Sequence, residues 1–93
     1  MDSMDLKGIR AATISLYLQL ELRRRFLESV TAVDAASWLD RAGILKDSAN
    51  RHGLPLRNLL RAGAILGQRQ ESARFWFIDR VSLGAVEFRR AGR

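Results

Sequence analysis

Cysteine is absent from the 93 residues, and proline and histidine occur once each. Without Cys there are no disulfides, no thiolate metal ligands and no Cys nucleophile, so a stapled secreted scaffold is not expected and a reducing compartment is. The one histidine, His52, lies in a polar stretch and reads as a loop residue. No metal-ligand spacing surrounds it, and the chain carries no phosphate-binding Gly loop, no G-x-S-x-G and no paired-carboxylate motif. Neither an enzyme, a metal site nor a cofactor is expected. Long apolar runs are missing too: residues 9–22 are broken by Arg10, Ser15, Gln19 and Glu21, short of the roughly 18 to 20 apolar residues that cross a membrane. No small-residue cleavage site follows a charged amino-terminal region, which points to the cytoplasm.

What is present is a globular balance, 47% hydrophobic and 28% charged, in a length that fits one domain. Sixteen Lys and Arg stand against ten Asp and Glu, a net charge of +6, and fourteen of the sixteen are Arg. Arg is the side chain that forks onto phosphates and guanine edges. The excess is uneven, net +1 through Thr31 and net +5 from Ala32 onward, so a basic function belongs to the later part of the chain. The alternative is that Arg serves solubility alone.

From residue 13 to 23, Ile14, Leu16, Leu18, Leu20 and Leu22 occupy even positions with mostly polar residues between them. That period predicts a long half-buried strand, although Leu, Gln and Glu favour a helix that would bury Ile9, Leu16, Leu20 and Leu27. A lone strand must pair, either within the chain or with its copy in a homodimer. Thr31 then opens a helix as N-cap, with Asp34 at its amino end, an apolar stripe of Ala32, Ala35, Ala36, Leu39 and Trp38, and Gly43 past its close near Ala42. Residues 44–54 read as a connection with a turn of helix at 48–51. Pro55 suits the first turn of a short helix that has Leu56, Leu59 and Leu60 on one face, Arg57, Asn58 and Arg61 on the other, and Gly63 at its end. A hairpin is expected from strands at 64–67 and 73–81 around a polar turn at 68–72, and Ser82 is a candidate cap for a last helix through Val86 and Phe88. Arg89, Arg90 and Arg93 form a basic tail.

Helix, connection, short helix with an Arg/Asn/Arg face, then a hairpin bearing Arg is what DNA readers with a wing present. Arg57, Asn58 and Arg61 are the candidates for base edges, while Arg69, Arg74 and Arg80 are the candidates for phosphates. The segments T-A-V-D-A-A-S-W-L, L-P-L-R-N-L-L-R-A-G-A-I-L-G and R-F-W-F-I-D-R-V-S-L resemble the excisionase and MerR-type winged helix-turn-helix domains across residues 31–86. The resemblance implies sequence-specific binding of double-stranded DNA in transcription regulation or recombination, with Arg57, Asn58 and Arg61 on the recognition helix.

The expectation is therefore a small α+β, winged helix-turn-helix-like single domain over residues 1–93. Residues 1–30 form a dimerisation arm working through Ile14, Leu16, Leu18, Leu20 and Leu22; residues 31–88 carry the winged region, and 89–93 the tail. Trp38, Phe75, Trp76 and Phe77 are expected in the core. Arg23, Arg24 and Arg25 read as the solvated end of an element. Two alternatives stay open. One is a protein-interaction module, adaptor or small inhibitor that needs no nucleic acid; the other is a single-strand or RNA binder, which would need Trp76 exposed between Arg74 and Arg80.

Overall fold

The alternating leucines belong to a helix. In the structure, a computed structural model that describes residues 3–82 and their side chains from residue 10 onward, the first element is α1, Ser3–Arg24. Ile14, Leu18 and Leu22 are fully buried, whereas Leu16 and Leu20 are 52% and 51% exposed. Positions four apart share a helix face, so the even-numbered run consists of two interleaved stripes, one in the core and one outside. This overturns the long strand and, with it, strand-mediated dimerisation, because Ile14, Leu18 and Leu22 are used in the chain's own core. The face expected of a helix was also the wrong one, since Leu16, Leu20 and Leu27 are the exposed set.

At the end of α1 the chain reverses through Phe26, whose φ of 58° is left-handed, and the Leu27 N–H donates to the Leu22 carbonyl at 2.9 Å. The Arg23–Arg24–Arg25 run is occupied internally. Glu21 accepts hydrogen bonds from Arg24 at 2.8 and 3.0 Å and from Arg25 at 2.8 Å. Arg23 donates to the Val81 carbonyl at 2.9 Å, and the Arg25 guanidinium sits 4.4 Å from the centre of the Trp38 ring, a cation–π contact that ties the end of α1 to the next helix.

After β1, Ser29–Thr31, comes α2, Ala32–Arg41, capped as expected by Thr31, whose hydroxyl accepts from the Asp34 N–H at 3.2 Å. Ala32, Ala35, Ala36, Trp38 and Leu39 are buried as the stripe predicts. Then α3, Leu54–Arg61, buries Leu56 and Leu60. No helical turn forms at 48–51; the Ser48 hydroxyl accepts from the Arg51 N–H instead. Two strands follow, β2, Gln68–Ser72, and β3, Phe75–Asp79. The hairpin exists, but its first strand is the polar segment expected to be the turn, while residues 64–67 are a non-strand approach that buries Ile65. The three antiparallel strands run in the order β1-β3-β2, with Val30 opposite Ile78 and Arg69 opposite Phe77. The molecule is thus a small α+β fold in which α1, α2 and α3 pack on one face of the sheet through Val30 and Ile78.

Of the aromatic residues expected inside, Trp38 is buried, Trp76 is half-buried against the core, and Phe77 is half-buried beneath the Arg69 guanidinium. Phe75 departs: it is 64% exposed, standing where β3 leaves the hairpin turn. The residues expected to form a last helix and a basic tail lie outside the described residues.

Polar side chains tie the hairpin to the helices. Fully buried Gln19 donates to the carbonyls of Leu66 at 3.3 Å and Asp79 at 2.9 Å, and accepts from the Val81 N–H at 2.9 Å. Ser15 accepts from the Leu66 N–H at 3.0 Å. Gln68 accepts from the Ile65 N–H at 3.0 Å and donates to the Leu60 carbonyl at 2.7 Å, joining α3 to β2. Gly67 lies inside this lattice with φ 86°, and a Cβ there would overlap the Asp79 carbonyl oxygen and approach Gln19 Nε2 to 2.9 Å.

Gly67→Ala therefore destabilises the fold by about 2 to 4 kcal/mol, whereas Gly63→Ala, also left-handed but facing open space, costs about 1 kcal/mol; denaturant midpoints read both. The hydrogen bonds from Arg24 and then Arg25 hold the Glu21 carboxyl at about 2. A carboxylate depressed on folding stabilises the protein above its unfolded pKa, and that contribution is lost as pH falls through the folded value. The midpoints of wild type and Glu21→Gln should accordingly differ at neutral pH and converge as pH falls toward 2.

Candidate nucleic-acid interface

Burial of Leu56 and Leu60 turns the rest of α3 outward: Asn58 and Arg61 are exposed and Arg57 is half-buried. Asn58 Oδ1 accepts from Arg61 Nη1 at 3.1 Å, which aligns the two side chains one turn apart and leaves the Asn58 amide N–H groups and the remaining Arg61 donors outward. The connection from α2 is set by Asp47. Its Oδ1 accepts from the N–H groups of Ser48 at 2.9 Å and Gly53 at 2.8 Å, and its own N–H donates to Asp40 Oδ1 at 3.1 Å. Burial alone would raise the Asp47 carboxyl; the Gly53 and Ser48 N–H groups, helped by nearby His52, outweigh it and hold it below its ordinary value. His52 is mostly exposed, with Nδ1 3.6 Å from Asp47. Gly53 takes a left-handed φ of 86° immediately before α3, so Asp47 fixes the direction in which the helix departs.

The hairpin turn lies across a groove from α3. Arg57 from the helix, Thr31 and Val33 from the start of α2, and Arg74 and Phe75 from the turn line a cavity of about 110 Å³ whose walls contain no acid. Among the described residues no carboxylate pairs with Arg57, Arg61 or Arg74. On the other side of Val33, Asp34, Asp40 and Asp47 line a separate cleft with Lys46 and His52. The basic groove and the acidic cleft adjoin at Val33.

Arg57, Asn58, Arg61 and Arg74 thus share one side of the molecule. Arg69 and Arg80 are placed differently. Asp79 accepts a two-pronged hydrogen bond from Arg69, at 2.7 and 3.0 Å, Glu71 also pairs with it, and its guanidinium covers Phe77 at 4.8 Å. Arg80 pairs with Glu28 at 3.0 Å, at the end of β3 away from the turn and roughly 20 Å of strand from Arg74. Sequence reasoning missed Thr31, Val33 and Phe75 as walls of the groove. For Phe75 a signal existed, an aromatic directly following an Arg at a turn. Among the described residues no group of three or more His, Cys, Asp or Glu converges in a manner suited to a metal ion, and no helix is long and apolar enough to cross a membrane.

Comparison of the chain with protein-family models, with curated proteins and with solved structures finds no match.

Asp47→Ala should accelerate amide exchange at Ser48 and Gly53 with little effect on β3. In the wild type the same acceleration should appear only in acid, as pH falls through the depressed Asp47 pKa. Unchanged exchange in the variant would remove Asp47 from its role in positioning α3.

Proposed function

We propose that this protein binds double-stranded DNA, with α3 presented to a major groove and the β2–β3 turn to the adjacent backbone. The observation that carries the reading is the convergence of Arg57 and Arg74, seventeen positions apart in sequence, on one acid-free groove, with Asn58 and Arg61 continuing the same polar face along α3. These are the side chains that recognise base edges and phosphates: Arg forks onto guanine O6 and N7, and Asn pairs with adenine N6 and N7. The order helix, strand, helix, helix, hairpin, with sheet order β1-β3-β2, suits a winged helix-turn-helix of the excisionase and MerR type, and the role that follows is regulation of transcription or assistance to recombination. Arg61 and Asn58 read bases, Arg57 bridges the helix to the backbone, and Arg74 contacts phosphate. Arg69 and Arg80, committed to Asp79 and Glu28, contribute less than their charge suggests. The single-strand reading is less well supported: Trp76 lines the groove beside Arg74, but its ring is half-buried against the core and Arg80 is engaged by Glu28.

Fluorescence anisotropy with random-sequence duplex, single-stranded DNA and RNA from about 50 to 200 mM salt tests the reading, since phosphate binding falls steeply over that range. Duplex should bind best. Against a selected site, Arg61→Ala should cost about 1 to 3 kcal/mol at one base position, whereas Arg74→Ala should weaken all duplexes alike and reduce the salt slope. Arg80→Ala should change either quantity little. Absence of duplex binding at low salt would overturn the reading and direct attention to a protein partner instead.

A further inference from the structure

Phe75 is a large apolar side chain left outside the core at the hairpin turn. It is 64% exposed and begins β3 opposite Ser72, beside the irregular pairing between Gln70 and Ser72 that sharpens the local twist. Phe77, two residues on and on the same face of the strand, has its ring covered by Arg69; among the described residues no such cation covers Phe75. The groove it borders carries Arg57 on the opposite wall and Arg74 next to it, with Thr31 and Val33 between and no acid. An apolar ring is thus held at the tip of a hairpin, flanked by two guanidiniums that lack carboxylate partners among the described residues.

We propose that Phe75 is a wedge that inserts from the wing into the minor groove of bound duplex DNA at a base step beside the α3 site, partly unstacking it and bending the duplex. The inference rests on the duplex-binding reading above. Two features of the groove favour this occupant. Cationic walls attract the phosphates on either side of a minor groove, and a cation immediately beside an apolar side chain at a loop tip combines the two elements that minor-groove architectural proteins use to kink DNA, one for the backbone or groove floor and one for the step. Unstacking is easiest at pyrimidine–purine steps, so the wedge creates a preference at positions α3 does not touch. Arg57 and Arg74 hold the duplex against the tip, and Phe75 determines its shape.

The full chain is tested with two duplexes of about 25 base pairs, each carrying a donor and an acceptor dye at its ends. One contains repeated TA steps with 2-aminopurine in place of one adenine, and the other is homopurine paired with homopyrimidine. Wild-type protein should bring the dyes closer and raise 2-aminopurine emission on the first duplex, and bind it roughly fivefold to tenfold more tightly than the second. Phe75→Ala, which removes an exposed ring and should leave the circular dichroism spectrum unchanged, should bind both duplexes equally and lose both optical changes. Phe75→Leu, still an apolar wedge, should retain part of each. Arg74→Ala should weaken both duplexes together. Duplex binding by wild type without bending or unstacking, or bending that survives in Phe75→Ala, overturns the wedge and leaves the DNA-binding reading intact. A Phe75-dependent preference for single strands overturns the wedge in favour of base stacking, and failure of wild type to bind any duplex at low salt removes both.

Discussion

Gln19 reaches from the middle of α1 to both strands' ends at the base of the hairpin, and because it is fully buried none of its hydrogen-bonding groups can turn to water. Its amide pairs with the carbonyls of Leu66 and Asp79 and with the N–H of Val81. Leaving such groups unpaired in the interior costs about 1 to 3 kcal/mol each, so the hairpin base has one favourable seat on α1. Close approach then dictates Gly67, where any Cβ would meet the Asp79 carbonyl. Gln68, the next residue, holds the Leu60 carbonyl at the end of α3. Helix α1, helix α3 and the hairpin therefore meet within four residues, and that junction seats the base of the hairpin against the helices.

The same residue explains why the sequence of α1 has the period of a strand. Ser15, Gln19 and Glu21 are polar yet buried, and each sits between two aliphatic residues. Polar residues alternating with apolar ones look like the solvent face of a strand, but here one serves Leu66, one the hairpin base and one the Arg24–Arg25 pair. The pattern reports polarity, and burial depends on partners up to 62 positions away in the chain, which no local period contains. By contrast α2 was legible almost to the residue. Its cap is local, its stripe is a simple i, i+3, i+4 series, and its end coincides with Gly43, which adopts φ 73°. The polar strand β2 was missed for a related reason: Arg69 gains its place by forking onto Asp79 across the sheet, and the register that brings them together is tertiary.

Charge shows a similar division. Counting cations identifies the basic part of the chain, from Ala32 onward, but not which charges are available. Arg24 and Arg25 share Glu21, Arg69 has Asp79 and Glu71, and Arg80 has Glu28. Arg57, Arg61 and Arg74 carry no such partner among the described residues. Exposed ion pairs contribute little to stability, about 0 to 1 kcal/mol, yet they matter here by subtraction, since a paired guanidinium offers a polyanion less net field than a free one. The helical period of α3 was sufficient to put Arg57, Asn58 and Arg61 outward; bringing Arg74 alongside them required the sheet.

Helix α3 is weakly supported by its own residues. It has eight residues, no side-chain N-cap and no acid in its first turn, and Arg57 lies near its amino end. Each of these is unfavourable for an isolated helix, because the amino end already carries partial positive charge and prefers an anion. In α2 the chain does the opposite, placing Thr31 and Asp34 at the amino end. The contrast means that α2 is stabilised by its own residues, while α3 depends on Leu56 and Leu60, on the Asp47-held approach and on the Gln68 contact at its far end. The one anion at its start is the Asp47 carboxylate, which accepts from the N–H of Gly53 just before the helix, while Arg57 lines the groove shared with Arg74. On the DNA-binding reading, a phosphate beside Arg57 would add to the single carboxylate that Asp47 supplies, and part of the binding energy would appear as stabilisation of α3.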